Sequence, residues 1–182
     1  MKTLNVLRAS IFSLLITALM PGWIMAQDDD DRHKLINDAN MAREEFIKKD
    51  PLMKNLFDNS AGYVIFPNVG KGAIGVGGAA GNGIVYQQGK PIGKAKLKQL
   101  TIGLQLGGQA YREVIFFESN AALDQFKGGN FELSAQASAV AADKGASADV
   151  KYRNGIMIFT QEKGGLMYEA SVGGQKFDYN AF

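Results

Sequence analysis

Glycine constrains this chain more than any other residue. Between Asn59 and Arg112 it recurs at Gly62, Gly70, Gly72, Gly75, Gly77, Gly78, Gly81, Gly83, Gly107 and Gly108. Such density opposes a helix and suits strands whose backbones approach one another closely. The same 54 residues contain no Asp or Glu. They do carry Lys71, Lys90, Lys94, Lys96, Lys98 and Arg112, six cations without an internal counter-charge. A local field of that kind favours an anionic partner. The segment therefore reads as a binding surface on a β scaffold rather than a catalytic centre.

Around it the hydrophobic period changes. Leu35, Ala39, Ala42 and Phe46 step by four, three and four, which puts them on one helical face. Lys48 and Lys49 follow in the last turn, where the helix dipole favours cations. Asp50-Pro51 then marks a stop and a restart, with Asp50 as cap of a second short helix through Leu56-Phe57. From Gly62 the period becomes two. Tyr63–Phe66 forms a strand that Pro67 ends, and Ile102–Ala110, Phe131–Ala139 and Ala146–Tyr152 alternate apolar with polar residues. Ile156–Phe159 and Leu166–Val172 supply the last strands. Ser119 caps an inserted helix through Phe126, closed by Gly128-Gly129. The fold class expected is α+β: N-terminal helices packed on a curved antiparallel sheet or partly open β-barrel, with one inserted helix.

The first residues read as a secretory signal. Lys2 and Arg8 precede an apolar run from Ala9 to Met20, Pro21-Gly22 breaks it, and Ile24-Met25-Ala26 offers cleavage before Gln27. The run is shorter than the roughly 20 residues that cross a bilayer. The expectation is an exported protein, periplasmic or secreted, whose residues 27–34 are a flexible acidic start. Its mature 27–182 portion sums to zero formal charge, because the +2 of the whole chain comes from Lys2 and Arg8. A neutral protein with one basic segment suits local docking better than general polyanion affinity, which argues against nucleic acid.

The catalytic inventory is thin. There is no cysteine, so neither thiol chemistry nor a disulfide is available, and the single histidine, His33, lies beside the acidic start. No HExxH or Cys/His spacing marks a zinc site, and Asp28–Asp31 lacks the glycine turn and terminal Glu of a calcium loop. Gly70-Lys71-Gly72-Ala73-Ile74-Gly75 matches GxGxxG, but Gly77-Gly78 opposes the helix that a dinucleotide site needs, and no acid follows about twenty residues on. Glu113 and Glu118 look like solvated strand-end charges. The expectation is no enzyme, no cofactor and no metal.

Three ordered motifs now carry a likeness. Gly62-x-x-x-Phe66-Pro67-x-x-x-Lys71-Gly72 with Gly77-Gly78-x-x-Gly81-x-Gly83 resembles the opening of the SYLF domain. Gly103-Leu104-Gln105-Leu106-Gly107-Gly108-Gln109 resembles its central element, and Lys163-Gly164-Gly165-Leu166 with Gly173-Gly174 its closing segment. The likeness spans residues 35–182, a single SYLF-like lipid-binding domain. It implies phospholipid and phosphoinositide binding without chemistry, with Lys71 as the residue carried over most directly. In fungi and animals the family also associates with actin, a partner that an exported protein would not meet in its own cell. The family's Gly-Pro-x-Gly-Arg turn is replaced here by Ala141-Ala142-Asp143-Lys144-Gly145.

The mechanism expected is electrostatic and interfacial. Lys90, Lys94, Lys96 and Lys98 surround Pro91-Ile92-Gly93, read as a loop whose lysines meet anionic phospholipid headgroups while Ile92 and Leu97 enter the interface. That loop could equally be a solvated hairpin end. Helix 35–47 is a second membrane candidate, or else packs its apolar face on the sheet. A periplasmic scaffold without lipid binding stays open, as does a small outer-membrane barrel. The barrel is disfavoured by phase, since Asn180, Asp178 and Lys176 alternate with Phe182 while Phe177 and Tyr179 fall in the other register.

Overall fold

A computed structural model of the protein describes residues 22–74, 76–102, 109–129, 131–163 and 172–182. In chain order the elements are α1 (Gly22–Lys49), α2 (Met53–Asn59), β1 (Gly62–Ile74), β2 (Val76–Gln87), β3 (Lys90–Ile102), β4 (Gln109–Phe117), α3 (Asn120–Lys127), β5 (Phe131–Glu132), β6 (Val140–Ala141), β7 (Ile156–Glu162) and β8 (Lys176–Ala181). The expected Gly103–Gly108 element and most of the Leu166–Val172 strand lie outside the described residues, as does the apolar run Ala9–Met20. Among the described residues, no helix is long and apolar enough to cross a membrane.

The chain divides into two units, Met1–Lys34 and Leu35–Phe182. In the first, residues 22–34 are helical. Arg32 closes an i,i+3 ion pair with Asp29 at 2.8 Å, a contact that helical spacing makes possible.

The second unit is built on one eight-stranded sheet in the order β5-β8-β3-β2-β1-β4-β7-β6. All pairings are antiparallel except β6 with β7. The two edge strands, β5 and β6, are two residues long and belong to one stretch, Phe131–Ala141. That stretch runs from one edge of the sheet to the other, so the sheet curls into a partly open half-barrel. The expected α+β architecture is what forms.

Each face of the sheet buries its own core. The inner, concave face holds Val64, Phe66, Val69, Val85, Leu97, Ile115, Phe117 and Phe177, with α3 supplying Leu123 and Phe126. Small residues let the strands close around these rings. At Gly83 a Cβ would stand 2.6 Å from the Phe66 ring and 2.7 Å from the Ile65 carbonyl oxygen, so only glycine fits. The convex face holds Tyr63, Ile65, Ile84, Tyr86, Val114, Phe116, Met157 and Phe159, covered by Ala39, Ala42 and Phe46 of α1 and by Met53 and Phe57 of α2. The apolar stripe of helix 35–47 therefore packs on the sheet.

Several local expectations change. Pro67 does not end β1. It sits in a bulge, where the register shifts against both β2 and β4, the position at which a missing N–H is tolerated. Asp50 caps the turn leading into α2, its Oδ1 accepting from Leu52 N–H at 3.2 Å, while Leu52 itself stands at the position before the helix. Asp50 is also buried, and its other oxygen accepts from the backbone N–H (2.8 Å) and hydroxyl (2.6 Å) of Ser147. Burial would raise its carboxyl, but those bonds and backbone bonds from Leu52 and Gly145 carry it below the ordinary range. The strand expected over Ala146–Tyr152 fails for the same reason, since Ser147 spends its donors on Asp50 and Gly145 turns with φ +77°. Phe131–Ala139 keeps a strand only at Phe131–Glu132 because Ala137 N–H folds back onto the Ser134 carbonyl (2.9 Å). Helix α3 is as expected, with the Ser119 hydroxyl accepting from Ala122 N–H at 3.2 Å.

Candidate functional site

The convex face is only half covered. Beyond Ile65 and Ile84, the strands β1 and β2 turn outward Asn68, Gly70, Ala80 and Asn82, all exposed. Side chains this small give a helix nothing to pack on. Register places β3 beside them, with Lys94 opposite Ile84, Lys96 opposite Asn82, Lys98 opposite Ala80 and Leu100 opposite Gly78. The pleat repeats every two residues, so this i, i+2 series forms one outward row, while Ala95, Leu97 and Gln99 point to the interior. Beyond β3, strand β8 sets Asn180, Asp178 and Lys176 opposite Lys94, Lys96 and Lys98.

Counter-charge arrives from this distant strand, not from the local sequence. Lys98 Nζ stands 3.5 Å from Asp178, and Lys176 Nζ 3.3 Å from Glu132. Both pairs are exposed and contribute little binding energy to either partner. Among the described residues the face thus gathers Lys94, Lys96, Lys98 and Lys176, with Asp178 and Glu132 each held by one of these lysines. Leu100, 85 % exposed, ends the row as a large apolar residue without cover. Sequence reasoning missed Leu100 and Lys176. Leu100 was legible as the next member of the 94, 96, 98 series, whereas Lys176 joins only through pairing of β8 with β3.

The expected lysine loop is a strand. The turn lies earlier, at Gln88 and Gly89, whose φ angles of 52° and 74° suit a tight two-residue hairpin. Lys90 sits at that turn, so about eight residues of extended chain separate it from Lys98, roughly 26 Å. Ile92 and Leu97 cannot enter an interface as expected. Leu97 belongs to the inner core and Ile92 packs against it, its carbonyl accepting from Tyr179 hydroxyl at 3.0 Å.

Arg112 also lies on the convex side but three strands from the row, roughly 14 Å away. It lines a shallow groove with Asp38, Glu44, Glu45 and Lys163, and donates to Gln161 Oε1 at 3.5 Å. Lys163 reaches Asn68 Oδ1 at 3.4 Å from that side. The backbone of Lys71 stands opposite Ala79 and Gln109, in the other phase of the pleat from Gly70.

Beneath the bare half, the inner face sets a polar cluster among apolar residues such as Val69 and Leu97. Glu113, expected to be solvated, is completely buried. Its Oε2 accepts from Gln175 Nε2 at 3.0 Å, and the same amide contacts the Tyr111 hydroxyl at 3.3 Å. Burial pushes the Glu113 carboxyl up to about 7, a rise that the Gln175 bond moderates. Burial also raises the Tyr111 phenol, and the neighbouring Glu113 adds to it. Gln99 Nε2 donates to the Gly173 carbonyl at 2.9 Å. These bonds latch the 172–175 turn to β3 and β4. The cluster contains no nucleophile or imidazole that Glu113 could activate, and Glu118 is exposed beyond the end of β4. No group of three or more His, Asp or Glu side chains among the described residues could hold a metal ion.

The described residues thus form a half-barrel whose outer face carries a row of lysines. The family described as "Ysc84: Las17-binding protein actin regulator" matches residues 98–180, a span that begins inside the lysine row and ends in β8. That family, of which the SYLF domain is the hallmark, consists of non-catalytic proteins. Beta cell expansion factor A of Aeromonas veronii is similar at 29% identity over 142 residues, 76% of this chain and 53% of that protein. The chain thus spans about half the length of this curated relative.

Proposed function

We propose that the chain is an exported SYLF-type module that docks on membrane surfaces by binding anionic phospholipid headgroups. The carrying observation is the row Lys94, Lys96 and Lys98 with Lys176 beside it, bordered by the flat, small-residue strip of Asn68, Gly70, Ala80 and Asn82. This lysine row can lie against a bilayer because beside Lys96 and Lys98 the neighbouring outward residues on β2 are only Asn82 and Ala80. Leu100 projects from the end of the row and enters the headgroup layer. Lys90, Lys71 and Arg112 contribute to the longer-range field rather than to the row. The family match and the general lipid-binding role of its members support this reading. Actin is not carried into this reading, because a protein exported as proposed would not meet it in its own cell.

Vesicle co-sedimentation tests it. Near an anionic bilayer each lysine contributes on the order of 1 kcal/mol, so Lys94→Gln, Lys96→Gln and Lys98→Gln together should weaken binding to phosphatidylserine-rich vesicles by roughly 100-fold. Binding to zwitterionic vesicles should barely change. Raised salt should imitate the substitution, because exposed charges are screened beyond about 8–10 Å. A triple variant that binds anionic vesicles as well as the parent would leave the periplasmic scaffold as the better reading. Intact-mass measurement of exported protein checks the location, with Gln27 as the expected first residue.

A further inference from the structure

The stretch Phe131–Ala141 crosses between the two sheet edges without sealing them, and a cavity of about 770 Å³ opens at this seam. The volume falls within the range of sites that hold one small organic ligand. Its depth is apolar: Phe131, Leu133, Met157 and Ile158 line it, and Leu133 and Ile158 belong to the buried inner core. Its mouth carries Lys151 and Arg153, both exposed and neither in an ion pair among the described residues. Of the two carboxylates at the rim, Glu132 is engaged by Lys176 and Asp149 stands exposed.

We propose that this seam is a binding site for one unbranched alkyl chain ending in an anionic head. The chain lies along the apolar depth and the head meets Lys151 and Arg153. Charge complementarity selects an amphiphile over a neutral oil. An added peptide strand fits less well, because Arg153 and Ile156 already exchange backbone hydrogen bonds (2.8 and 3.1 Å) and β6 pairs with β7 at Phe159 and Thr160. These pairings leave little of this edge of β7 for an incoming ladder. The site is separate from the lysine row, and it is measured without vesicles, so either can fail alone.

The experiment uses the full chain and cis-parinaric acid, a fluorescent fatty acid, below its micellar concentration. Saturable binding at one per protein is expected, with displacement by oleate or by lysophosphatidate identifying a carboxylate or phosphate head. Oleyl alcohol should displace at least ten-fold less well. Ala137→Trp, which places an indole in the cavity, should abolish binding while the melting temperature is kept. Because that variant could misfold, Lys151→Ala with Arg153→Ala gives a second arm at exposed positions, expected to weaken oleate at least ten-fold and leave oleyl alcohol unchanged. Absence of saturable binding would overturn the proposal, as would equal competition by oleyl alcohol or an unaffected charge variant. A second copy of the chain occupying the seam, seen as a dimer in sedimentation that Ala137→Trp dissolves while parinaric acid never binds, would overturn it as well.

Discussion

The two halves of the convex face use the same strands for opposite purposes. Around Tyr63 and Tyr86, whose rings stack at 4.9 Å, the outward positions are aromatic or branched, and Phe57 of α2 meets Tyr63 and Phe116 edge-on at 5.0 and 4.9 Å. Four or five residues further along β1 and β2 the outward positions become Asn68, Gly70, Ala80 and Asn82, all exposed among the described residues. The covered half gains burial on both faces. The bare half depends on its backbone ladders and on an inner face that includes the polar Tyr111–Gln175–Glu113 cluster. A sheet held this way can leave its outer surface free for a partner, since those side chains contribute little to folding.

The contrast can be broken by substitution. Phe116→Ala, in the covered half, should lose about 3–5 kcal/mol in urea denaturation, because a buried ring is replaced by a cavity. A loss below about 1 kcal/mol would mean that the helices do not anchor this half.

Glu113 tests the inner side of the bare half. Its folded pKa of about 7 lies above the ordinary 4.5, so folding favours the protonated form. The stabilising contribution is complete below the unfolded pKa and is lost as pH rises from about 4.5 through about 7. Stability should therefore fall by about 3 kcal/mol across that window. Glu113→Gln should flatten the profile and leave the variant more stable than the parent at pH 8. An unchanged slope would show that another group compensates the carboxylate.

Smaller effects belong to the outer surface. Lys98→Gln removes an exposed ion pair with Asp178 and should cost under about 1 kcal/mol of stability. Gly70→Val should move the midpoint least of all, within about 0.5 kcal/mol, since a Cβ there meets nothing within 4 Å and valine suits a strand. A large loss at Gly70 would mean that this surface is packed against something after all.

Much of this was legible in residue order. The four-three-four stripe of Leu35–Phe46 announced a helix buried on one side, and Ser119 with Gly128-Gly129 marked both ends of α3. The lysine spacing of two was equally visible, but Pro91 and Gly93 suggested a loop, whereas Gln88-Gly89 makes the turn and Gly93 is paired within β3. Alternation misled over Ala146–Tyr152 because pattern alone does not reveal that Asp50, 97 residues earlier, captures Ser147.

Local sequence determined the helices from Leu35 onward, where the period becomes two, and that the middle of the chain is basic and glycine-rich. Those properties depend on neighbours a few residues apart, through backbone sterics and side-chain periodicity. The order of strands decided the rest. Pairing β8 with β3 brought Asp178 and Lys176 to a row that its own sequence leaves without acids. Pairing β1 with β4 buried Glu113 opposite Phe66 and shifted its carboxyl toward neutrality. Charge balance and burial are sums over everything nearby in space, and in a sheet the nearest strands come from distant parts of the chain.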